Sequence, residues 1–146
     1  MGGLYEQDVL LWSEHQGDLL RRLAAGERLN EKPDWANIIE EIESVGRSQL
    51  ATVQSLIVQA LLHDLKVRAW PNSREVAHWR AEAIGFRDDA SRSYVPSMRQ
   101  RIDLVLLYRQ ALRRLPDSID SQPPASVPDT CPLTLEQLVD PTEAEA

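Results

Sequence analysis

Glutamate and histidine side chains recur along this chain at spacings that helical metal sites use. Helical bundles hold di-metal centres with a glutamate from each of two helices and a Glu-x-x-His motif from each of two more. Glu75 and His78 form one such motif, and the chain carries it once, so a site of this type lacks its second half. The candidate metal ligands are Glu40, Glu43, His63, Glu75 and His78. No residue is assigned as catalytic or cofactor-binding.

Glu40 and Glu43 also fit an ordinary ion-pair role on a predicted helix. Glu43 precedes Arg47 by four residues, which is the more favourable orientation for a glutamate and a basic residue on one helix. Glu40 or Glu41 can likewise meet arginines of the third predicted helix. Structural ion pairs are therefore the favoured interpretation of these acids, and metal binding is the alternative.

His63 raises the same choice, because it lies beside Asp64 on an apolar stripe. If the helix that carries it is unbroken, it lies about 30 Å from Glu43, at 1.5 Å per residue. The two side chains can then share a site only if the chain folds back near Gly46. A core histidine satisfied by one hydrogen bond is the favoured interpretation, and a ligand or base is the alternative.

Basic residues are concentrated in the middle of the sequence. Residues 1–65 carry a net charge of −6, residues 66–114 of +6 and residues 115–146 of −7. A basic face of this kind suits nucleic acid, but acidic and basic helices that neutralise each other explain the same pattern. No glycine-rich phosphate loop, paired-cysteine zinc pattern or stacking-aromatic motif accompanies the arginines, so nucleic acid is not favoured. The arginines concerned are Arg68, Arg74, Arg80, Arg87, Arg92 and Arg99.

The single cysteine, Cys131, excludes an intramolecular disulfide and favours a reducing compartment. Its expected role is that of a small buried apolar residue. The first residues include Glu6 and Asp8 and no basic run, which is untypical of a secretory signal. The longest uncharged stretch, from Ser48 to His63, is too short to cross a bilayer. A cytoplasmic protein without a membrane segment is therefore expected.

The segment from Asp34 to Val67 organises the predicted fold. It holds no proline and has apolar residues every three or four positions, and from Leu56 onward they cover several faces. One helix of this length would span roughly 50 Å, whereas a globule of this chain length is only about 38 Å across. We therefore expect the helix to bend or restart around Gly46, or to be covered by a second subunit.

A first helix is predicted before this segment, from Glu6 to Ala25, and Gly26 can take the left-handed position that ends it. Asp34 is placed to cap the central helix. The four tryptophans, each on a core stripe or at a helix end, are expected to be packing anchors. They are Trp12, Trp35, Trp70 and Trp79.

Two further helices and a tail are predicted after the central segment. Trp70-Pro71 ends the central helix, and Asn72 or Ser73 then caps a third. A fourth follows Pro96 and runs to Leu115. The tail, residues 116–146, is rich in proline. Within it Thr134 and Gln137 form a capping box for a short helix, Leu135 to Val139, which is expected to dock on the bundle or on a partner.

Several sequence blocks resemble the family called domain of unknown function 29. They are Tyr5–Asp8, the block from Asp34 to Ser48 that ends in Gly-Arg-Ser, Leu61–Lys66 and Cys131–Asp140. The resemblance covers nearly the whole chain. It implies a small bacterial protein that is mostly α-helical and usually stands alone, and it implies no established activity.

Together these observations predict an all-α protein, an up-and-down bundle of four main helices with a proline-rich tail and a short docking helix. A single domain over 1–146 is expected, with its core at about 4–115. The favoured function is a cytoplasmic interaction module that self-associates or binds a protein partner, without a cofactor, and an enzyme is not favoured. The alternatives are a metal-binding bundle or metal-dependent enzyme, and a nucleic-acid-associated protein that uses the arginines.

Overall fold

The computed structural model describes residues 2–140, and its regular structure is helical. This confirms the predicted all-α class, whereas the four-helix bundle arrangement stays a prediction. The last six residues of the predicted tail, 141–146, lie outside the described residues. The helices are α1 (Leu4–Gln7), α2 (Val9–Ala24), α3 (Trp35–Ala69), α4 (Val76–Ser93), a 3-10 helix (Pro96–Arg101), α5 (Leu104–Arg113) and α6 (Leu135–Val139).

The chain forms two compact units, Met1–Arg47 and Ser48–Ala146, which we call the N-terminal unit and the C-terminal unit. The N-terminal unit holds α1, α2 and the first part of α3. The C-terminal unit holds the rest of α3 and all later helices. A single domain over 1–146 stays a prediction.

The predicted first helix is two helices, because Asp8 interrupts it. The Asp8 carboxylate accepts a hydrogen bond from the Leu11 backbone N–H at 3.0 Å and so caps α2. At the other end Gly26 has φ of 82°, which confirms its predicted left-handed conformation. The Glu27 N–H bonds to the Arg22 carbonyl and the Gly26 N–H to the Leu23 carbonyl, the pattern of a Schellman motif.

The central helix α3 is continuous, so the predicted restart at Gly46 is wrong. A glycine costs a helix only about 1 kcal/mol, and an interruption would leave backbone N–H and carbonyl groups without partners. The predicted ends agree with the structure: Asp34 precedes the first helical residue, and the helix ends at Ala69, before Trp70-Pro71.

The core of the C-terminal unit is built on the second half of α3, as its apolar pattern predicts. Val53, Ile57, Leu61 and Leu65 are buried there. Tyr108 of α5 joins the same core. A second, smaller cluster surrounds the end of α3 and consists of Ala69, Trp70 and Trp79.

Both helices that follow α3 begin later than predicted. The turn after Trp70 continues through Ser73, whose N–H bonds to the Trp70 carbonyl, so α4 begins at Val76, with Glu75 at its cap and no side-chain cap bond. Of the two expected caps, Ser73 accepts the Glu75 N–H at 3.1 Å through its hydroxyl, but this bond closes the turn before α4 and the helix itself begins at Val76.

The predicted fourth helix is divided in the same way. A 3-10 helix follows Val95, and α5 then begins at Leu104. The division lies at Asp103, whose carboxylate accepts the Leu106 N–H at 3.2 Å and caps the new helix.

The tail carries α6, with the bounds and the capping box that the sequence predicts. The Thr134 hydroxyl accepts the Gln137 N–H at 3.2 Å, and the Gln137 side chain accepts the Thr134 N–H at 2.9 Å. Leu138 and Val139 are buried in the core of the C-terminal unit. Between α5 and α6 a backbone hydrogen bond joins the chain to the end of α3, because the Ala125 N–H donates to the Ala69 carbonyl at 2.8 Å.

None of the helices within residues 2–140 is both long enough and apolar enough to cross a bilayer.

Candidate interaction surface and polar clusters

Large apolar side chains are exposed mainly on the N-terminal unit. Among residues 2–140, thirteen large hydrophobic side chains are exposed, and nine of them belong to this unit. Four lie on one face of α3 and together form what we call the α3 stripe. Trp35 is 49% exposed, Ile39 52%, Ile42 67% and Val45 68%.

α1 and α2 contact the side of α3 that adjoins the stripe and leave the four stripe side chains exposed. Ile38 is buried. The Trp12 indole N–H donates to the Asp34 carboxylate at 2.9 Å, and the Tyr5 hydroxyl donates to the Glu41 carboxylate. At 100° per residue the four stripe side chains span an arc of about 120°, and buried Ile38 lies near one edge of that arc.

Three of the four tryptophans are packing anchors, but Trp35 is not. Trp12, Trp70 and Trp79 are buried, whereas Trp35 begins the exposed stripe. The sequence pattern assigns it to the inward face because its spacing from Ile38 and Ile42 is helical. That spacing fixes which residues share a face and does not fix what covers the face.

Glu40 and Glu43 form ion pairs with Arg47 on the surface of the N-terminal unit. One Arg47 guanidinium nitrogen lies 2.5 Å from Glu40 and another lies 3.7 Å from Glu43. All three side chains are more than half exposed. The i to i+4 pair expected from the sequence is therefore present. Glu41 instead accepts the Tyr5 hydroxyl, and this hydrogen bond raises the pKa of Tyr5.

The other candidate ligands have structural contacts in the C-terminal unit. The His63 Nδ1 lies 2.7 Å from the Gln59 carbonyl, and its ring packs against Phe86 at 5.2 Å. His78 lies 3.9 Å from Glu82 on the exposed side of α4, and Glu75 precedes that helix. In the part of the chain that the structure describes, no three His, Cys, Asp or Glu side chains are grouped to hold a metal ion.

A half-buried polar cluster that the sequence does not predict lies between α3, α4 and the tail. An Arg87 guanidinium nitrogen lies 3.4 Å from the Asp64 carboxylate, and about three quarters of each side chain is buried. Burial raises the pKa of Asp64, and the positive charges of Arg87 and Arg68 only partly oppose it. Burial also raises the pKa of Cys131, so the thiol stays protonated at neutral pH.

The cluster unites two of the sequence blocks, Leu61–Lys66 and Cys131–Asp140, that carry the family resemblance. The negative charge of Asp64 raises the pKa of the Cys131 thiol, and the positive charge of Arg68 lowers the pKa of both groups. Asp64 and Arg68 border a space of about 10 Å³ against Pro132 and Leu133 of the tail, which is too small for a ligand. The cluster therefore joins the tail to α3 and offers no room for a substrate.

Arginines of the basic region are partly neutralised within the C-terminal unit. Besides the pair with Asp64, Arg92 lies 3.1 Å from Asp89 and Arg99 lies 2.9 Å from Glu136. The acidic tail thus supplies one of the carboxylates. These pairs correspond to the salt-bridged face that the charge pattern favours.

A cleft of about 730 Å³ in the C-terminal unit lies between the turn after α3 and the tail. Residues 69–74 and 119–125 contribute to its walls. The Trp70 indole N–H crosses this junction and donates to the Gln122 carbonyl at 2.9 Å. Asp120 and Ser121, with φ of 52° and 62°, form a two-residue turn closed by two hydrogen bonds between Ile119 and Gln122.

The sequence matches the family described as domain of unknown function DUF29 over residues 4–142. The chain belongs to the DUF29 family. The match covers nearly the whole chain, as the resemblance predicts, and a DUF29 assignment carries no activity.

A solved structure has the same fold as this DUF29 chain. It is the crystal structure of an α-helical protein of unknown function from Rhodospirillum rubrum, with 28% sequence identity and a TM-score of 0.69. The alignment covers 98% of this chain and 93% of the other. No curated protein matches the sequence.

Proposed function

We propose that this DUF29 protein is a cytoplasmic protein-interaction module that binds through the α3 stripe. The observation that carries the proposal is the contiguous apolar face of Trp35, Ile39, Ile42 and Val45. The largest contiguous apolar patch on a monomeric protein is typically about 300–600 Å² and is often a functional site. The stripe is supported by a folded unit and lies on a long helix, so it can be presented to a partner without reorganisation.

The first turn of α2 supports the same assignment for the N-terminal unit. Val9, Leu10 and Leu11 are each at least half exposed. A helix turn that exposes three adjacent large apolar side chains is costly to leave in water. The C-terminal unit, by contrast, exposes only four of the thirteen large hydrophobic side chains that are exposed within residues 2–140, and it has a core that α6 completes. Binding is therefore assigned to the N-terminal unit, and the C-terminal unit serves as its folded support.

The metal-binding and nucleic-acid alternatives receive less support. Glu40 and Glu43 are engaged by Arg47, and His63 is engaged by a backbone carbonyl. Three arginines of the basic region pair with carboxylates of the same unit. Within the described residues, no three His, Cys, Asp or Glu side chains are grouped to hold a metal ion.

The test compares the wild-type protein with Ile42→Lys, which places a charge in the middle of the α3 stripe. Sedimentation velocity over a concentration series and co-purification at native expression level measure association. We expect wild type to associate with itself or to retain a stoichiometric partner, and we expect Ile42→Lys to lose that association by tenfold or more. Ile84→Lys, at an exposed position of α4, is the matched control and should behave like wild type.

A wild-type protein that sediments as a monomer at all concentrations and retains no partner would contradict the proposal. Equal loss of association in Ile42→Lys and Ile84→Lys would also contradict it, because binding would then not depend on the stripe.

A further inference from the structure

We infer that the partner of the α3 stripe is a second copy of the same chain, packed antiparallel about a two-fold axis near Ile42. The inference rests on the proposed function and specifies the partner and its geometry. A two-fold interface requires a surface that is complementary to itself when one copy is reversed. The area, the charges and the side-chain sizes of the stripe each meet this requirement.

The area of the stripe suits a dimer of standard size. From the exposed fractions of its four side chains, the stripe exposes roughly 400 Å² of apolar surface per chain, taking about 150–250 Å² for each full side chain. Two copies then bury roughly 800 Å² of apolar surface. Because apolar atoms form about 60% of a typical interface, the total is roughly 1,300 Å², within the range of specific complexes.

The charges beside the stripe favour an antiparallel over a parallel pair. One flank carries Glu40 and Glu43 toward the helix N-terminus and Arg47 toward its C-terminus. In an antiparallel pair, Arg47 of each copy lies toward the acidic end of the other. In a parallel two-fold pair the two copies of this flank lie on opposite sides of the interface, so Arg47 of one copy is kept away from Glu40 and Glu43 of the other.

The side-chain sizes along the stripe are also complementary when one copy is reversed. The largest residue, Trp35, lies at one end, and Gly46 lies at the other. A Cβ atom added at Gly46 would meet nothing within 4 Å. In an antiparallel pair, the tryptophan of each copy lies toward the open glycine end of the other, so the helices can approach closely.

The experiment uses cysteine cross-linking in the full-length chain with Cys131→Ser, so that the introduced cysteine is the only thiol. Three variants place a cysteine on the stripe, Ile39→Cys, Ile42→Cys and Val45→Cys, and Ile84→Cys is the control on α4. Each is oxidised mildly at a concentration where the Cys131→Ser protein associates, and disulfide dimers are measured by mass spectrometry. Circular dichroism checks that each variant is folded.

We expect Ile42→Cys to form at least five times more dimer than Ile84→Cys. A mixture of Ile39→Cys and Val45→Cys should give more mixed disulfide than either protein gives alone, because these positions lie on opposite sides of the axis. Stronger cross-linking of Ile39→Cys and of Val45→Cys to themselves would overturn the antiparallel geometry.

Failure of the inference can be separated from failure of the proposed function. If no stripe cysteine cross-links while wild type retains a different protein that Ile42→Lys loses, the second copy is overturned and the interaction module stands. If no stripe cysteine cross-links and wild type associates with nothing, both are overturned.

Discussion

Two aspartates of this protein have pKa values shifted in opposite directions by their surroundings. Asp34, before α3, accepts hydrogen bonds from the side chains of Asn37 and Trp12, and these donors lower its pKa. Asp64, in the half-buried polar cluster, has a raised pKa because burial penalises its charge more than nearby arginines compensate. Asp34 thus stabilises the fold when ionised, whereas ionised Asp64 costs stability.

We predict that Asp64→Asn raises the free energy of unfolding at neutral pH. A carboxyl group whose pKa is higher in the folded state destabilises the fold when it is ionised, and this cost disappears as pH falls toward 3.8, the ordinary pKa of an aspartate. The advantage of the variant over wild type should therefore shrink as pH falls from 7 to about 4. Urea unfolding at several pH values measures this difference.

Asp89→Asn is the control for this prediction. Asp89 also pairs with an arginine, but both partners are mostly exposed, and surface pairs contribute little to stability. The difference between Asp89→Asn and wild type should be small at every pH. A larger advantage for Asp64→Asn at pH 4 than at pH 7 would show that burial does not set the behaviour of Asp64.

At the scale of the helices, a capping signal predicts the ends of a helix well when the capping side chains bind backbone groups of that same helix. The capping box of Thr134 and Gln137 gives both ends of α6. The same reasoning is less accurate at the start of α4, because Asn72 and Ser73 belong to the turn after Trp70 and the Ser73 hydroxyl binds the Glu75 N–H before the helix begins at Val76. A second capping residue within a continuous apolar pattern, such as Asp103, is easily overlooked.

The continuity of α3 gives a prediction at Gly46. Gly46→Ala should raise the free energy of unfolding by about 0.5–1 kcal/mol, because the glycine lies inside a helix with open space around it. Gly26→Ala should lower it by about 1 kcal/mol, because residue 26 has a left-handed conformation. Both substitutions are made in an Ile42→Lys background, so that self-association does not contribute to the stability. Urea unfolding then measures the free energy of unfolding of each variant.

The two glycines act as controls for each other, since the same substitution is made at both. Destabilisation by Gly46→Ala would mean that α3 is interrupted there after all, as the sequence suggests.

At the scale of the whole molecule, periodicity predicts the fold class but not the location of the binding surface. Trp35, Ile42 and Val45 continue the apolar pattern that includes Val53, yet Val53 is buried and the other three are exposed. A pattern along one helix is the same whether its cover comes from the chain itself or from another molecule. The sequence pattern therefore includes three of the four α3 stripe residues, without Ile39, but it does not identify them as an exposed surface.

Self-association through the stripe predicts a thermal stability that depends on protein concentration. Because a dimer binds only folded chains, the unfolding midpoint of wild type should rise by about 2–3 °C for each tenfold increase in concentration. Differential scanning calorimetry from micromolar to millimolar protein measures this shift. Ile84→Lys should show the same slope and Ile42→Lys none. A wild-type midpoint that does not move would contradict self-association.

The position of α6 has a consequence for how this protein folds while it is being made. Leu138 and Val139 fill the same core as Val53 and Ile57, although more than eighty residues separate them. A ribosome has therefore synthesised almost the entire described chain before that core can close. Until then the apolar side chains of α3 stay exposed, and during this interval a chaperone can protect them from aggregation.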